Sequence, residues 1–244
     1  MNETPHPAHP KTHKRLATFA ARGSRKLTAR QAELVEHRLP ALAVPIAGDA
    51  VPSLDPGTLF SADAGPTRRE AWLEIGFGGG EHLAGQAARN PDVGLIGCEP
   101  FIDGIAKVLT MIEAQGLANI RLHPGDARDV IDRLVPASID RAFILFPDPW
   151  PKTRHHKRRL IQMGFLDDLS RVLRPGAPIR FATDVADYAN WAMERFHAHP
   201  AFAWTARTAA DWKTVPADHF ETRYQAKALG DIAPVYFDFV HAPV

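Results

Sequence analysis

The chain has 244 residues, of which 45% are hydrophobic and 23% are charged, and this composition is typical of one large globular domain. Its single cysteine, Cys98, excludes a disulfide framework within the chain. No apolar run approaches the roughly 18–20 residues that span a bilayer, and residues 1–15 lack the apolar core of a secretory signal. We therefore expect a cytoplasmic protein that does not bind membranes.

The net charge is only +1, but basic residues are concentrated in two parts of the sequence. One part is residues 152–159, and the other is residues 4–32, which contain no acid and seven basic side chains: Lys11, Lys14, Arg15, Arg22, Arg25, Lys26 and Arg30. We predict a basic, disordered tail over residues 1–30. A lead-in helix and loop follow over residues 31–67, with the helix within residues 28–42. Each cluster either binds nucleic acid or is simply solvated.

From residue 68 to residue 244, short apolar runs alternate with amphipathic stretches, which is typical of β-α-β units in one domain. Strands are predicted within residues 71–80, 93–100, 119–126, 140–150, 177–184, 202–207 and 234–242. Helices are predicted within residues 81–91, 101–116, 127–136, 158–176 and 185–200, the second of them ending at Gly116. We therefore predict an α/β fold with a doubly wound, mainly parallel, seven-stranded sheet. The last two strands have no helix between them, so an antiparallel strand is expected at one edge.

Acidic residues occur at or just beyond the ends of five predicted strands: Glu74, Glu99, Asp126, Asp148 and Asp184. In open α/β sheets, ligands bind beyond the carboxyl ends of the strands. A single acid in such a place is often a helix cap or a turn former. Five acids at equivalent positions indicate a ligand site instead.

Residues 74–80, EIGFGGG, connect the first strand of the domain to its first helix. Glycines such as Gly76 and Gly78 let a backbone approach a ligand closely. The spacing differs from the G-x-G-x-x-G pattern of dinucleotide sites, and Glu74 would repel a pyrophosphate. Glu99 follows at a spacing suited to ribose hydroxyls, and Asp126 could accept from an adenine amine. These features favour S-adenosylmethionine over a nicotinamide dinucleotide.

Residues 146–159, FPDPWPKTRHHKRR, join a rigid acid to a basic run. Prolines on both sides restrict the backbone around Asp148 and so preorganise its carboxylate. Trp150 is suited to stacking on a base, and the following side chains are suited to phosphates or to stacking: Lys152, Arg154, His155, Lys157, Arg158 and Arg159. Adjacent histidines, here His155 and His156, rarely chelate one ion, so we expect no metal site.

In these motifs the chain resembles the bacterial tRNA (guanine-N7)-methyltransferases, which are Rossmann-like enzymes that use S-adenosylmethionine. The matching segments lie in family order over about 160 residues: LEIGFGGG at 73–80, GCEP at 97–100, GDA at 125–127, FPDPWPKTRHHKRRL at 146–160, FATDVADYA at 181–189 and TRYQAKALG at 222–230. The segment 146–160 is the most specific of them, whereas many methyltransferases share the glycine turn.

The resemblance implies transfer of a methyl group from S-adenosylmethionine to N7 of a guanosine in the variable loop of tRNA, by a monomer or a homodimer. It implies that the cofactor contacts Glu74, Gly76, Gly78, Glu99, Asp126 and Asp148, and that Asp148 also lies at the catalytic centre. It assigns tRNA binding to Lys152, Arg154, His155, His156, Lys157, Arg158, Arg159, Asp184, Thr222, Arg223, Tyr224 and Gln225.

One position departs from the family pattern, because Gln225 stands where the family usually carries Glu. The change removes a charge, which would weaken a charge-assisted hydrogen bond by roughly 1–2 kcal/mol. The side chain at this position could contact a guanine edge, a cation or the amino-acid end of the cofactor.

Guanine N7 carries a lone pair and no proton, so we expect direct in-line transfer without a general base. Asp148 or Asp184 could stabilise the cationic product. Two other hypotheses remain open. A methyltransferase for a small molecule or a protein would not need the basic residues 152–159. An RNA-binding protein that has lost the cofactor would give no heat on titration with S-adenosylmethionine.

If the basic tail adds non-specific affinity for RNA, deletion of residues 1–26 will reduce the salt dependence of tRNA binding. Each lost phosphate contact should lower the slope of log affinity against log salt by roughly 0.7–0.9. Binding titrations of the full-length and truncated proteins at several salt concentrations measure this slope. An unchanged slope would identify the tail as a solvated extension.

Overall fold

The computed structural model of the protein describes residues 26–46, 54–60, 69–227 and 229–242. Most of the predicted tail and much of the predicted loop before residue 68 lie outside these residues. The described part of the lead-in segment contains three helices: α1 (Ala29–His37), α2 (Leu39–Leu42) and α3 (Pro56–Leu59). Thr28 caps α1, since its hydroxyl accepts a hydrogen bond from the backbone N–H of Gln31. The helix predicted within residues 28–42 is therefore present as α1 and α2.

Seven strands form one mixed sheet in the order β3-β2-β1-β4-β5-β7-β6. In chain order they are β1 (Glu70–Ile75), β2 (Val93–Cys98), β3 (Ile120–His123), β4 (Arg141–Leu145), β5 (Pro178–Thr183), β6 (Phe202–Trp204) and β7 (Val235–His241). Strands β1 to β5 are parallel, and β7 is antiparallel to both β5 and β6. The predicted α/β fold is confirmed. The predicted antiparallel edge is present as well, because β7 and the outermost strand β6 form an antiparallel pair at one edge of the sheet.

Helices cover both faces of this sheet and bury two apolar clusters. They are α4 (Glu81–Arg89), α5 (Ile102–Gln115), α6 (Ala127–Ile131), α7 (Met163–Val172), α8 (Ala186–Ala198) and α9 (Ala210–Lys213). Side chains of α4 and α5, such as Leu83 and Ile105, pack on one face. Side chains of α6 to α8, such as Leu166 and Phe196, pack on the other. Among the described helices, none has the length and apolar character that a membrane crossing requires.

The helix predicted within residues 158–176 begins only at Met163. Residues 153–158 form a short 3₁₀ helix instead, and residues 159–162 are not helical. The helix begins later than predicted because the backbone N–H and carbonyl of Ile161 form hydrogen bonds with side chains of α8. The Ile161 N–H donates to the Tyr188 hydroxyl at 3.4 Å, and its carbonyl accepts from Trp191 Nε1 at 2.8 Å. These tertiary contacts replace the hydrogen bonds of a helical turn.

Strand β1 lies at the point where the sheet changes direction. The chain proceeds from β1 outward through β2 and β3, and then returns to the other side of β1 for β4 and β5. Crevices at such switch points, beyond the carboxyl ends of the strands, are the usual ligand sites of open α/β sheets. Alternation along β1 directs Leu73 and Ile75 into the cluster under α6 to α8. Glu74, between them, faces α4.

Candidate active site

A cavity of about 370 Å³ opens at this switch point. The glycine turn after β1, the ends of β2 and β4, the start of α6 and residues near position 222 form its walls. Nine of the predicted site residues line it: Glu74, Gly76, Gly78, Glu99, Asp126, Asp148, Arg158, Thr222 and Tyr224. The structure therefore brings together every residue that was predicted to contact the cofactor.

The glycine turn leaves open space beside its backbone. Gly76 and Gly78 have φ angles of 71° and 57°, in the left-handed region that favours glycine. A Cβ atom at either position would have no protein atom within 4 Å. Because both residues line the cavity, a side chain at either position would occupy space that a ligand could use.

Glu74 is a buried carboxylate with a buried partner. Its side chain is 2% exposed, and Oε2 lies 2.8 Å from Nδ1 of the fully buried His82 on α4. Nε2 of His82 lies 3.2 Å from Nε2 of Gln86. An amide nitrogen only donates, so His82 Nε2 accepts and Nδ1 carries the proton that is donated to Glu74. This hydrogen bond offsets part of the cost of burying the carboxylate.

Glu99 connects the end of β2 to the glycine turn. Its Oε2 accepts from the backbone N–H of Gly78 at 2.8 Å, and its Oε1 accepts from that of Phe101 at 3.0 Å. Burial raises the pKa of Glu99 to about 7; the two N–H donors oppose this rise, and the carboxylates of Asp103 and Asp148 add to it. Near neutral pH, Glu99 of the free protein is therefore partly protonated.

Asp126 caps α6 and is held by an arginine that was not predicted as a site residue. The carboxylate accepts from the backbone N–H of Arg128 at 3.0 Å. The same residue's guanidinium donates to both oxygens, with Nε 2.9 Å from Oδ1 and Nη2 2.5 Å from Oδ2. Arg128 also lines the cavity. It therefore fixes the orientation of Asp126 beside the space that a ligand would fill.

Asp148 lies on a turn with left-handed residues at both ends. Phe146 and Trp150 have φ angles of 51° and 45°, which cost on the order of 1–3 kcal/mol each for residues other than glycine. Tertiary contacts hold this turn: the Phe146 N–H donates to a carbonyl of β5, and the Pro149 carbonyl accepts from Arg159 Nε at 2.8 Å. The exposed Asp148 carboxylate makes no hydrogen bond to another described residue, and partial desolvation raises its pKa.

Arg159 was predicted to touch RNA, and the structure gives it a different role. The residue is 1% exposed. Its guanidinium contacts the Asp187 carboxylate, supports the Pro149 carbonyl and lies about 5 Å from the ring centres of Tyr188 and Trp191. A phosphate could reach it only if these contacts were broken. Arg159 therefore anchors the Asp148 turn from inside the protein.

The rest of the basic segment divides between the surface and the cavity. Arg158 lies 4.9 Å from the centre of the Trp150 ring and lines the cavity. His155 and His156 are half-buried, and their rings meet those of Trp150 and Trp191. Burial, and to a smaller extent the surrounding cations, lower the pKa of His155. Three cations of this segment are exposed: Lys152, Arg154 and Lys157.

Of the four tRNA contacts predicted near position 222, two line the cavity and two do not. Thr222 and Tyr224 line the cavity, whereas Arg223 and Gln225 do not. Arg223 Nε lies 2.7 Å from Glu81 Oε1 at the start of α4. Gln225 faces the interior, where its amide oxygen lies 2.7 Å from His219 Nε2 and its amide nitrogen donates to the Tyr236 hydroxyl at 2.7 Å. This neutral side chain is therefore used as a donor and an acceptor between two aromatic residues.

Asp184 is buried at the end of β5 and does not line the cavity. Gly230 covers it so closely that a Cβ at position 230 would lie 2.3 Å from Asp184 Cγ. Its contact with tRNA stays a prediction. In the part of the chain that the structure describes, no group of three or more His, Cys, Asp or Glu side chains is arranged to hold a metal ion.

Sequence reasoning missed His82, Arg128 and Asp218. Arg128 carried a local signal, because a cation two residues after a helix-capping aspartate can fold back onto it. The other two carried none. His82 meets Glu74 across a strand and a helix, and Asp218 pairs with Arg141 and Arg180 at 2.6 Å and 2.5 Å from a loop far along the chain.

Comparison with known proteins identifies close relatives. Residues 68–236 match a family model described as a putative methyltransferase. The chain is 52% identical to a tRNA (guanine-N(7)-)-methyltransferase of Caulobacter sp. (strain K31), over 96% of this chain and 98% of that protein. It is 49% identical to the protein of the same name from Hyphomonas neptunium, over 92% of this chain and 99% of that protein.

Solved structures show the same fold at low sequence identity. A 16S rRNA (adenine(1408)-N(1))-methyltransferase from Catenulisporales acidiphilia superposes with a TM-score of 0.50 at 17% identity, over 81% of this chain and 99% of that chain. An aminoglycoside resistance methyltransferase also gives a TM-score of 0.50, at 16% identity, over 72% of this chain and 89% of that chain. At such identities the likeness concerns the fold alone.

If Glu99 accepts hydrogen bonds from a ribose, affinity for S-adenosylmethionine will increase as the pH rises through about 7. The carboxylate is the better acceptor, so its proton must leave first, and binding at pH 6 should be about tenfold weaker than at pH 8. Calorimetric titration across this range measures the effect. Glu99→Gln should bind more weakly and lose most of the pH dependence. A constant wild-type affinity would contradict the prediction.

Arg159→Ala should destabilise the protein by about 2–3 kcal/mol, because it removes buried hydrogen bonds and aromatic packing. Arg154→Ala is the matched control: its side chain is exposed, and its loss should change stability by less than about 0.5 kcal/mol. Denaturant unfolding gives both values. Equal stability of the two variants, together with weaker tRNA binding by Arg159→Ala, would show that Arg159 binds RNA and does not anchor the turn.

Proposed function

Since this chain belongs to the bacterial tRNA (guanine-N7)-methyltransferase family, we propose that its cavity is where S-adenosylmethionine meets a guanine of tRNA. The enzyme transfers the methyl group of S-adenosylmethionine to N7 of guanosine in tRNA. One observation supports the assignment of this reaction to the cavity: the carboxylates from the ends of four parallel strands converge there, namely Glu74, Glu99, Asp126 and Asp148.

The polar groups of the cavity fit S-adenosylmethionine. Its ribose hydroxyls and its amines are hydrogen-bond donors and its sulfonium is a cation, so carboxylates suit it. We assign the ribose hydroxyls to Glu99 and the adenine amine to Asp126. Glu74 and the open glycine turn would hold the amino-acid end. A phosphate-bearing dinucleotide would meet four carboxylates in the same space, which favours the phosphate-free ligand.

When bound, S-adenosylmethionine supplies a methyl group that its sulfonium makes electrophilic. Guanine N7 needs no deprotonation, so the residues of the chain contribute mainly by positioning. Asp148, on a turn restrained by two prolines and by Arg159, presents at the cavity a carboxylate that forms no hydrogen bond with any other residue the structure describes. This carboxylate would accept from the donor edge of the guanine and stabilise the positive charge that develops on the base.

The tRNA contacts would extend outward from the cavity along the basic segment. The exposed cations Lys152, Arg154 and Lys157 are placed to neutralise phosphates. At the cavity, Tyr224 is 37% exposed and its ring centre lies 5.9 Å from that of Phe146. Such a ring offers a stacking surface for a base. We propose the variable loop of tRNA as the methylated region and the cytoplasm, where this substrate is found, as the location of the enzyme.

Asp148→Ala and Asp148→Asn should reduce methyl transfer by about 10²–10³-fold, because each removes the charge that faces the guanine. Incubation with labelled S-adenosylmethionine and unmodified tRNA, followed by nucleoside analysis for 7-methylguanosine, measures the reaction. Binding of tRNA should change by less than about threefold, or roughly 0.7 kcal/mol.

The Asn variant keeps the shape of the side chain and so separates charge from packing. Equal losses of transfer and of tRNA binding would make Asp148 a binding or folding residue. Absence of 7-methylguanosine with the wild-type enzyme would refute the proposed function itself.

A further inference from the structure

Residues 218–225, which supply Thr222 and Tyr224 to the cavity, lie along one side of α4. Besides the buried His82, four residues of this helix contact them: Glu81, Gly85, Gln86 and Arg89. Three of these four residues are spaced four apart along the helix, so they share one face. We call these four residues the α4 seat. Its contacts are independent of the cavity, which neither Gly85 nor Arg89 lines.

Phe220 is the apolar centre of this contact. Its ring lies so close to Gly85 that a Cβ at position 85 would be 2.5 Å from ring atoms Cγ and Cδ1. The Arg89 guanidinium lies 4.4 Å from the centre of the same ring. Any side chain at position 85 would therefore displace the Phe220 ring, which is the apolar contact of the segment with α4.

Polar contacts fix the segment on both sides of Phe220. Gln86 Nε2 donates to the Asp218 carbonyl at 2.7 Å. Arg223 Nε lies 2.7 Å from Glu81 Oε1 at the other end of the seat. Thr222 and Tyr224, which line the cavity, stand on either side of Arg223 in the sequence. The placement of these two residues therefore depends on how the segment sits on α4.

A second anchor ties the start of the segment to the sheet. Arg180 and Arg141, from β5 and β4, donate to the Asp218 carboxylate at 2.5 Å and 2.6 Å. Burial alone would raise the pKa of Asp218, but the two guanidinium groups outweigh it and lower the pKa to about 2. Asp218 is therefore ionised and paired with the two guanidinium groups near neutral pH.

The same helix also contacts the part of the cavity that is predicted to hold the cofactor. It begins directly after the glycine turn, with Gly80 as its N-cap. Its buried His82 holds Glu74, and Gln86 contacts both His82 and the Asp218 carbonyl. A continuous set of hydrogen bonds therefore runs from a predicted cofactor carboxylate to residues 218–225.

We propose that the α4 seat positions Thr222 and Tyr224, the two cavity-lining residues of the segment, relative to the cofactor, and that Gly85 and Phe220 are the positioning residues on which this placement depends. The inference rests on the proposed function. Gly85 is required because its missing side chain is the space that the Phe220 ring fills. Both residues act through Thr222 and Tyr224 and touch neither reactant.

Gly85→Ala tests the proposal, because alanine favours a helix over glycine, and the three atoms nearest to the added Cβ all belong to the ring of Phe220. We expect kcat/KM for tRNA to fall by at least about tenfold, while affinity for S-adenosylmethionine changes by less than about twofold. Thermal unfolding should show no loss of stability. Phe220→Ala should lower kcat/KM similarly. The double variant should be no worse than Phe220→Ala, because the clash is then absent.

Gly164→Ala is the matched control, since Gly164 also lies in a helix and a Cβ there would meet no atom within 4 Å. It should retain wild-type kinetics. Wild-type kcat/KM for Gly85→Ala, or losses that add in the double variant, would overturn the proposal. So would a lowered melting temperature with equally weakened cofactor binding. In all these cases the wild-type enzyme still forms 7-methylguanosine, so failure of the inference is distinct from failure of the proposed function.

Discussion

The carboxyl group of Glu74 is buried, and a buried polar group requires a hydrogen-bond partner. His82 is that partner, and because it stands on α4, this requirement also fixes the helix that follows the glycine turn. Gln86, one turn further along, contacts both His82 and the Asp218 carbonyl. The hydrogen-bonding requirement of one buried side chain therefore extends to residues 218–225, which we propose to lie near the bound tRNA.

In its proposed role Asp148 meets the opposite requirement, since its carboxylate has to remain available to a ligand. The contacts around Asp148 restrain its backbone and leave its carboxylate to a ligand. Pro147 and Pro149 limit the local conformations, and the Pro149 carbonyl is held by Arg159. The cost of burying this guanidinium is offset by Asp187 and by two aromatic rings. One arginine of the basic segment thus supports the acid, while its exposed neighbours face solvent.

Local signals were sufficient where local interactions decide the structure. The end of α5 at Gly116 was predicted from glycine alone, and Gly116 adopts the left-handed φ of 63° that such an end requires. The start of α7 was predicted too early. There, side chains 27 and 30 residues further along the chain bind the backbone of Ile161 and exclude a helical turn. The pattern of apolar residues does not reveal such competition.

The sequence by itself determined the family, the α/β fold and the acids at the carboxyl ends of the strands. Alternating apolar runs and strand-end residues are local features, and parallel strands bring their ends to one edge. Only the tertiary structure decided which side chains remain free to act. Arg159 turned inward and Gln225 joined His219 to Tyr236. Burial and hydrogen-bond partners come from distant residues, as with Gln86 and Asp218, which are 132 positions apart.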